Sequence, residues 1–287
     1  MSKVEDIVGN INDYWKVYQR CLIPKTPPDV DLCALGGDDQ IRNYLLKKNL
    51  LLARWTSDFD CGKETEWYYV IKDDEFDISK LNSNRRYKIN KGNKNFYTKV
   101  INPQEYVNDI YEVTTLAFMS YPLKYRPVIK RAEFIRNFQQ GDMKKRVFIG
   151  VFDKRTDKMC GYASLYCYDD CMDYTVHKTI PNEEKRQVNA ALVFGVLQYF
   201  EAHSEYRYLN DGARNIRHET GFQDYLQKYF GFRKAYCKLN IVYHPVVDIV
   251  VKMIYPFRNI INFFKNTRIT YNIYCAIEQE KIRRTFT

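Results

Sequence analysis

The stretch VNAALVFGVLQYF, Val188 to Phe200, decides the fold. One side of it repeats apolar residues at helical spacing, and these are Val188, Ala191, Leu192, Val196, Tyr199 and Phe200. The other side carries Val193, Phe194 and Leu197, so we expect a helix that is covered nearly all round. Two β-rich runs flank it, DYTVHKTI before and YRYLND after. A buried helix between two strands is a βαβ unit, which places ligand sites at strand ends.

Composition limits the classes of function. The chain has 287 residues, of which 45% are hydrophobic and 28% charged, as is typical of one large globular domain or two modest ones. Lysine and arginine outnumber aspartate and glutamate by 45 to 35, so the formal net charge is +10. That excess favours an anionic partner, which is a nucleic acid, a phosphorylated ligand or a membrane surface.

Location and metal content are predicted from missing signals. The N-terminal run MSKVEDIVGN lacks the apolar core of a signal peptide, and no run of 18 apolar residues predicts a membrane span. Eight cysteines are irregularly spaced, so we expect reduced thiols in a cytoplasmic protein. Cys160, Cys167 and Cys171 lack the CxxC pairs of a zinc site, and we expect no metal.

The pattern of elements divides the chain into three predicted segments. Residues 1–79 form an N-terminal α/β extension, in which LLLARWTSDF and TEWYYVIKD make a β-hairpin around Cys61-Gly62. Residues 80–245 carry two helices, three strands, then a helix, a strand, a helix and a strand, which predicts a mixed β-sheet flanked by helices. Residues 246–287 form a basic amphipathic helical tail, divided at Pro256. The predicted fold class is α/β, of the mixed α+β kind.

The run SNRRYKINKGNKNFYTK is the strongest local charge signal, because no acidic residue occurs between Asp77 and Glu105. A solvated basic helix explains the run as well as a phosphate-contacting surface does, and both interpretations stay open. The candidate phosphate or tRNA contacts are Arg85, Arg86, Lys88 and Lys91.

From Pro181 onward the chain resembles the GNAT superfamily of N-acyltransferases, including its FemAB-like aminoacyltransferase branch. The resemblance rests on a strand, a loop and an apolar helix in the family's order, and on the run Arg186-Gln187-Val188-Asn189-Ala190-Ala191. In GNAT proteins the matching loop reads Arg/Gln-x-x-Gly-x-Gly/Ala, and its N–H groups hold the pyrophosphate of coenzyme A at a helix N-terminus. The resemblance implies a GNAT-like core over residues 80–245, with acyl-CoA as co-substrate bound by these six residues.

Two positions depart from the family pattern. Asn189 stands where the family prefers glycine, whose backbone can approach a phosphate closely. Gln227 lies four residues before Gly231, where many GNAT enzymes carry a tyrosine that protonates the leaving thiolate, and an amide is no such acid. Tyr225 and Tyr229 are near, and packing is the favoured account of both. In the FemAB-like branch, which lacks the glycine-rich loop, a basic helix precedes the core and the donor is aminoacyl-tRNA.

Acyl transfer to an amine requires a base for the ammonium proton and dipoles for the oxyanion. His177 is one candidate base, because it lies at the end of the predicted central strand, although a lone histidine is more often structural. Asp211 and His218 are the others, since the loop NDGARNIRHET is the richest polar cluster of the core and follows a strand. Asp211-Gly212 is also a common turn pair, which is the simpler explanation.

The tail combines apolar periodicity with positive charge. Between Val246 and Thr287 there are seven basic residues and three acidic ones. Such a helix can lie on an anionic membrane surface, and it can equally pack on the protein itself or on another subunit.

We therefore expect an N-acyltransferase that moves an acyl group from a thioester such as acyl-CoA to an amine, which a sugar or cell-envelope glycan precursor would supply. The alternatives are a FemAB-like transferase that uses aminoacyl-tRNA, and a non-catalytic binding or membrane-associated accessory protein of the same fold. The expected location is the cytoplasm, with a peripheral site on the inner face of the membrane if the tail binds lipid.

Overall fold

The computed structural model describes residues 14–32, 37–121, 126–140, 143–216, 221–261 and 268–286. The strands of these residues are β1 (Trp15–Tyr18), β2 (Cys21–Pro24), β3 (Leu52–Ser57), β4 (Trp67–Lys72), β5 (Phe96–Ile101), β6 (Arg146–Asp153), β7 (Met159–Cys167), β8 (Cys171–Thr179), β9 (Tyr208–Ala213) and β10 (Arg233–Tyr243). Their α-helices are α1 (Asp38–Lys48), α2 (Ser83–Asn95), α3 (Val107–Met119), α4 (Arg131–Gln140), α5 (Val188–Glu201), α6 (Phe222–Phe230), α7 (Pro245–Ile254), α8 (Arg258–Ile261) and α9 (Arg268–Thr285). Short 3₁₀ helices span Ile78–Lys80, Pro181–Arg186 and Tyr255–Phe257.

The chain divides into two units that are not consecutive in sequence. The first unit comprises Met1–Val70, Ala213–Thr220 and Lys234–Thr287, and the second comprises Ile71–Gly212 and Gly221–Arg233. This division differs from the three consecutive segments expected from the sequence, because the chain leaves the first unit at Val70 and returns to it twice.

The second unit contains a mixed sheet in the order β9-β8-β7-β6-β5. Antiparallel pairs join β5 through β8, whereas β8 and β9 run parallel with the helix α5 between them in sequence. Helix α5 packs on β5, β6 and β7, and α3 packs on β7 and β8. The predicted α/β class, a mixed sheet flanked by helices, is confirmed.

Helix α5 has the burial that its sequence predicts. Nine of its 14 residues are buried, which leaves little of the helix surface for solvent. Gly195 faces Thr98 of β5 at a distance that leaves no room for a Cβ atom, so the helix lies close against the sheet. Aromatic packing covers Phe194, whose ring centroid is 6.3 Å from that of Phe76.

The first unit has the strand order β1-β2-β3-β10-β4. Strands β1 and β2 pair antiparallel, β2 and β3 parallel, and β3 and β10 antiparallel. The hairpin expected from β3 and β4 is therefore wrong, because β10 lies between these two strands. Lys238 of β10 pairs with Ser57 at the end of β3, and the segment that links β3 to β4 spans β10 instead of making a tight turn.

The tail is helical in separate pieces, as Pro256 predicts. Helix α7 ends at Ile254, a 3₁₀ turn follows at Tyr255–Phe257, and α8 begins at Arg258. The long helix α9 lies within the segment 246–287 that the sequence predicts to be helical. It packs on α7 and α8, and its residues Ile277 and Ile282 join the core around Trp67 and Tyr243.

Candidate functional site

The parallel strands β8 and β9 separate shortly after they meet. Within these two strands, pairing covers Cys171–Asp173 of β8 and Tyr208–Asn210 of β9. Buried Asn210 marks the end of the pairing: its Nδ2 donates to Asp173 Oδ1 at 2.7 Å, and its Oδ1 accepts from the Gly212 N–H at 2.8 Å. Gly212 has φ +101°, a conformation that suits glycine, and it turns the chain away from β8. Asp211 lies at this opening, where α/β sheets bind ligands.

A bulge in β8 brings Tyr174 and His177 to the same side of the strand. Residues three apart in a regular strand face opposite ways. Here the register against β7 slips between Ser164 and Leu165, so Thr175 is an extra residue and the alternation is reset. As a result, the Tyr174 hydroxyl and His177 Nδ1 lie 2.6 Å apart.

Asn189 joins the first turn of α5 to β8. Its Oδ1 accepts hydrogen bonds from His177 Nε2 at 2.8 Å and from the Thr179 hydroxyl at 2.7 Å. With Nε2–H as the donor, the Nδ1 of a neutral His177 accepts from Tyr174. Burial lowers the pKa of His177 to about 4, so the ring is neutral at physiological pH. Both of its nitrogens have partners within the protein.

Asp211 is the carboxylate of this cluster. Burial raises its pKa to about 7, and a hydrogen bond from Gln223 opposes that rise without cancelling it. The residue itself stays partly exposed to solvent. Burial first, and the nearby Asp211 carboxylate second, raise the pKa of Tyr174 well above its usual value. A carboxylate that titrates near neutrality has the proton affinity of a general base.

Helix α6 supplies the remaining aromatic side chains. The Phe222 ring lies 4.6 Å from the His177 ring and 5.8 Å from the Tyr174 ring, measured between centroids. Tyr225 contributes electrostatically to the raised pKa of Tyr174, and burial raises the pKa of Tyr225 itself. Gln227, at the family's acid position, donates to the Gln223 carbonyl oxygen at 3.1 Å instead.

The run Arg186 to Ala191 is in contact with other parts of the second unit. The Arg186 Nη1 atom donates to Asp153 and to Glu183, each at 2.6 Å, and its guanidinium lies over the Phe96 ring at 4.7 Å. The Arg186 contact holds the pKa of the Asp153 carboxyl well below its usual range. Gln187 takes a left-handed conformation as the N-cap of α5. Val188, Ala190 and Ala191 are buried, and the Asn189 side chain is engaged with β8.

Helix α2 covers the first turn of α5. A Cβ atom on Gly92 would lie 2.7 Å from the Gln187 carbonyl oxygen and 3.0 Å from the Ala191 nitrogen. Asn95 adds a hydrogen bond from its Nδ2 to the Arg186 carbonyl oxygen at 3.2 Å. The backbone beside the proposed pyrophosphate loop is therefore already in contact with protein.

The basic side chains of α2 are spread around the helix. Arg85 and Arg86 precede buried Ile89 by four and three residues and share its side of the helix, whereas Lys91 projects from the opposite side. Lys88 lies over the Tyr229 ring at 4.2 Å and lowers the pKa of that tyrosine. Arg86 is exposed and donates to the Ser79 carbonyl oxygen at 3.0 Å, while Arg85 and Lys91 are half-buried. Tyr229 thus joins a basic surface on α2 instead of packing in the core.

The structure brings Asp211 and His177 into one cluster, whereas His218 lies outside the described residues. Tyr174 and Gln223 were not predicted as site residues, and Tyr225 was predicted to pack in the core. A bulge leaves no clear mark in a strand sequence, so the spacing of Tyr174 and His177 offered no signal. No group of three or more His, Cys, Asp or Glu side chains among the described residues is placed to hold a metal ion.

Comparison with known proteins places the fold. No protein-family model and no curated protein matches this chain. Among solved structures, L-PGS from Bacillus licheniformis superposes with a TM-score of 0.54 at 13% identity, covering 85% of this chain and 84% of that one. A conserved protein of unknown function from Bacteroides thetaiotaomicron gives 0.50 at 9% identity, over 77% and 78%. FemX gives 0.46 at 10% identity, over 64% and 63%.

Identities this low define the fold alone. The chain has the GNAT-like, FemAB-like fold that its sequence resembles.

Proposed function

We propose that this protein is an aminoacyltransferase that moves an aminoacyl group from the ester of an aminoacyl-tRNA to an amine acceptor. Acyl-CoA, the other donor that the resemblance implies, is the alternative. The fold is common to both kinds of enzyme, so the choice between them depends on how the residues around α5 and α2 are used.

The observation that carries the proposal is the packing at the start of α5. The Arg186 guanidinium is shared by the Asp153 and Glu183 carboxylates, so its charge is compensated before any phosphate arrives. Gly92 of α2 lies against the backbone of the same turn. A pyrophosphate at this helix N-terminus would need free N–H groups and positive charge. On helix α2, Arg86 is exposed and the other candidate cations are half-buried, so all of them keep some access to the phosphates of an RNA.

Asp211 is the proposed base. The acceptor nitrogen attacks the carbonyl carbon of the aminoacyl ester, and Asp211 takes the proton that this nitrogen loses. The new C–N bond forms as the bond from the carbonyl carbon to the ribose oxygen breaks. The Tyr225 hydroxyl, protonated at neutral pH, is the proposed donor to that leaving oxygen, because Tyr225 and Asp211 both act electrostatically on Tyr174.

His177 and Asn189 position these groups. The hydrogen bonds from His177 to Asn189 and from Tyr174 to His177 hold the Tyr174 ring at the opening between β8 and β9. Because both nitrogens of His177 are occupied, we assign it the role of positioning residue. The proposed acceptor is an amine on a small molecule or on a cell-envelope glycan precursor.

A transfer assay with defined donors tests the proposal. The full chain is incubated with radiolabelled aminoacylated tRNA, with acetyl-CoA or with a long-chain acyl-CoA, and glucosamine and ethanolamine serve as acceptor probes. We expect label to move from tRNA to an amine, and transfer to be lost in Asp211→Asn. Asp224→Asn, an exposed carboxylate on α6, is the matched control and should transfer normally.

Three other results would change the conclusion. Transfer from an acyl-CoA with none from tRNA would establish the alternative donor. Equal transfer by Asp211→Asn and the unsubstituted protein would remove Asp211 from the mechanism. Tight binding of tRNA without turnover on any acceptor would favour the non-catalytic interpretation.

A further inference from the structure

Helix α7 exposes a continuous apolar stripe to solvent. Its side chains recur at i, i+3, i+4, i+7 and i+11, which places them along one side of the helix and its 3₁₀ extension. The members and their exposed fractions are Val246 (63%), Ile249 (59%), Val250 (46%), Met253 (68%) and Phe257 (60%). Soluble proteins seldom leave so many large apolar side chains exposed next to one another.

The stripe is held in place by a second apolar face on the same helix. Val251 is buried, and Val247 and Ile254 pack against the core that includes Tyr243 and Ile277. Asp248 and Lys252 form an i,i+4 ion pair at 2.8 Å on the remaining side. Since its buried face holds α7 against the core, the stripe remains exposed in the folded protein.

Positive charge accompanies the stripe. Residues 246–287 contain seven basic and three acidic side chains, a net charge of +4. Two of the arginines gather at the C-terminal end of α7, because Arg284 lies over the Tyr255 ring at 4.0 Å and Arg258 lies 4.8 Å from it. Arg284 also pairs with the buried carboxylate of Glu280 at 2.6 Å, and Arg283 pairs with the same carboxylate at 2.7 Å. Among the described residues, no helix is long and apolar enough to cross a membrane.

We propose that the α7 stripe binds the surface of an anionic lipid bilayer. The stripe inserts among the acyl chains near the headgroups. Arg258, together with the charge of Arg283 and Arg284 that the single Glu280 carboxylate leaves uncompensated, attracts lipid phosphates. Charge decides for this occupant, because Arg258, Arg283 and Arg284 outnumber the Glu280 carboxylate that pairs with two of them, and an apolar partner protein would gain nothing from that excess. The inference is independent of the donor, and it would place the enzyme beside acceptors carried by lipids.

Vesicle flotation with the full chain tests this proposal. The vesicles contain phosphatidylcholine alone, or phosphatidylcholine with about one third phosphatidylglycerol. We expect flotation with the anionic vesicles and little with the neutral ones. The variant Ile249→Glu/Met253→Glu should reduce partitioning by about tenfold or more, because it places two charges in the inserted stripe.

A matched control separates this effect from a general loss of surface hydrophobicity. The variant Leu46→Glu/Val128→Glu makes the same change at two exposed apolar residues elsewhere and should float like the unsubstituted chain. Circular dichroism should show both variants folded, and transfer to soluble glucosamine should be the same in both. A failure of transfer by every form would therefore count against the proposed function alone.

Two outcomes would overturn the membrane proposal. One is the absence of flotation on anionic vesicles, or flotation that Ile249→Glu/Met253→Glu leaves unchanged. The other is a dimer in light scattering that the same variant dissociates, since a second copy of the chain would then cover the stripe.

Discussion

At the scale of single residues, Asp211 combines partial exposure to solvent with an environment that raises its pKa. Its carboxylate lies at the opening between β8 and β9, and its surroundings favour the protonated form. A base with a pKa of about 7 is half ionised at neutral pH and still takes up a proton readily. The burial that makes it a good base therefore destabilises the fold when the group is ionised.

Asp211→Asn should separate activity from stability. We expect the rate of transfer to fall by about 10²- to 10⁴-fold, as for loss of a general base. In the unsubstituted protein kcat/KM should rise with pH through about 7, as Asp211 loses its proton. The measurement is a pH–rate profile under single-turnover conditions, and a flat profile would assign the base role to another group.

The same substitution should stabilise the fold above neutral pH. A folded pKa of about 7 against an unfolded value near 4 means that the native state binds more protons between these values. Stability therefore declines as pH rises from about 4 to about 7, on the order of 1 to 4 kcal/mol for this group. Asp211→Asn removes the decline. Urea unfolding at pH 5 and pH 8 measures it, and equal differences at both pH values would contradict the assignment.

Asn189→Gly restores the glycine that the GNAT pattern prefers, yet we expect no gain of coenzyme A binding. The substitution removes two hydrogen bonds, to His177 and Thr179, and should cost about 1 to 3 kcal/mol of stability. Arg186 keeps its ion pairs and Gly92 keeps its contact with the first turn of α5, so the start of α5 stays packed against protein. Thermal-shift titration with acetyl-CoA measures binding directly. A shift in the variant that is absent from the unsubstituted protein would show that Asn189 alone closes the site.

At the scale of elements, α2 and α5 pack closely where Gly92 of α2 meets the backbone of α5. Gly92→Ala should gain about 1 kcal/mol of helix propensity, but its Cβ would press on the backbone of α5 at 2.7 Å. Backbone in a buried helix cannot move aside freely, so we expect a net loss of about 1 to 2 kcal/mol. Chemical unfolding measures the change. Gly37→Ala, where a Cβ meets nothing within 4 Å, is the control, and equal effects of the two would contradict the packing account.

Local sequence patterns predicted the helices and strands better than they predicted which strands pair with one another. Helix α5 and the break at Pro256 follow from periodicity and from proline, which act within a few residues of sequence. The insertion of β10 between β3 and β4 depends on pairing across about 180 positions, for example Lys238 with Ser57, and no local signal marks it. The same holds for the site. Asp211 was identifiable from the sequence, because it is a polar residue at a strand end. Tyr174 needed the bulge at Thr175, which arises only when β8 pairs with β7.

At the scale of the whole molecule, the net charge of +10 attracts any polyanion, so RNA binding alone would not identify an RNA site. The proposal for α2 is more specific, because it assigns tRNA binding to the cations of one helix. Lys88 of this helix is in contact with Tyr229, and Arg85, Arg86 and Lys88 are the proposed phosphate contacts. Two triple variants distinguish binding through α2 from binding through the overall charge. Each removes three cations from a net charge of +10 and therefore has a net charge of +7.

The substitutions Arg85→Gln, Arg86→Gln and Lys88→Gln should weaken tRNA binding and lower the slope of log Kobs against log salt by about two, since each phosphate contact releases condensed counterions. The control replaces Lys47, Lys48 and Lys63 with glutamine. Long-range attraction between exposed charges is screened within about 10 Å at 0.1 M salt, so the control should keep nearly the original slope. Fluorescence anisotropy with tRNA at four salt concentrations measures both. If the two variants lose affinity equally, the chain binds RNA through its overall charge, and α2 is a solvated basic helix.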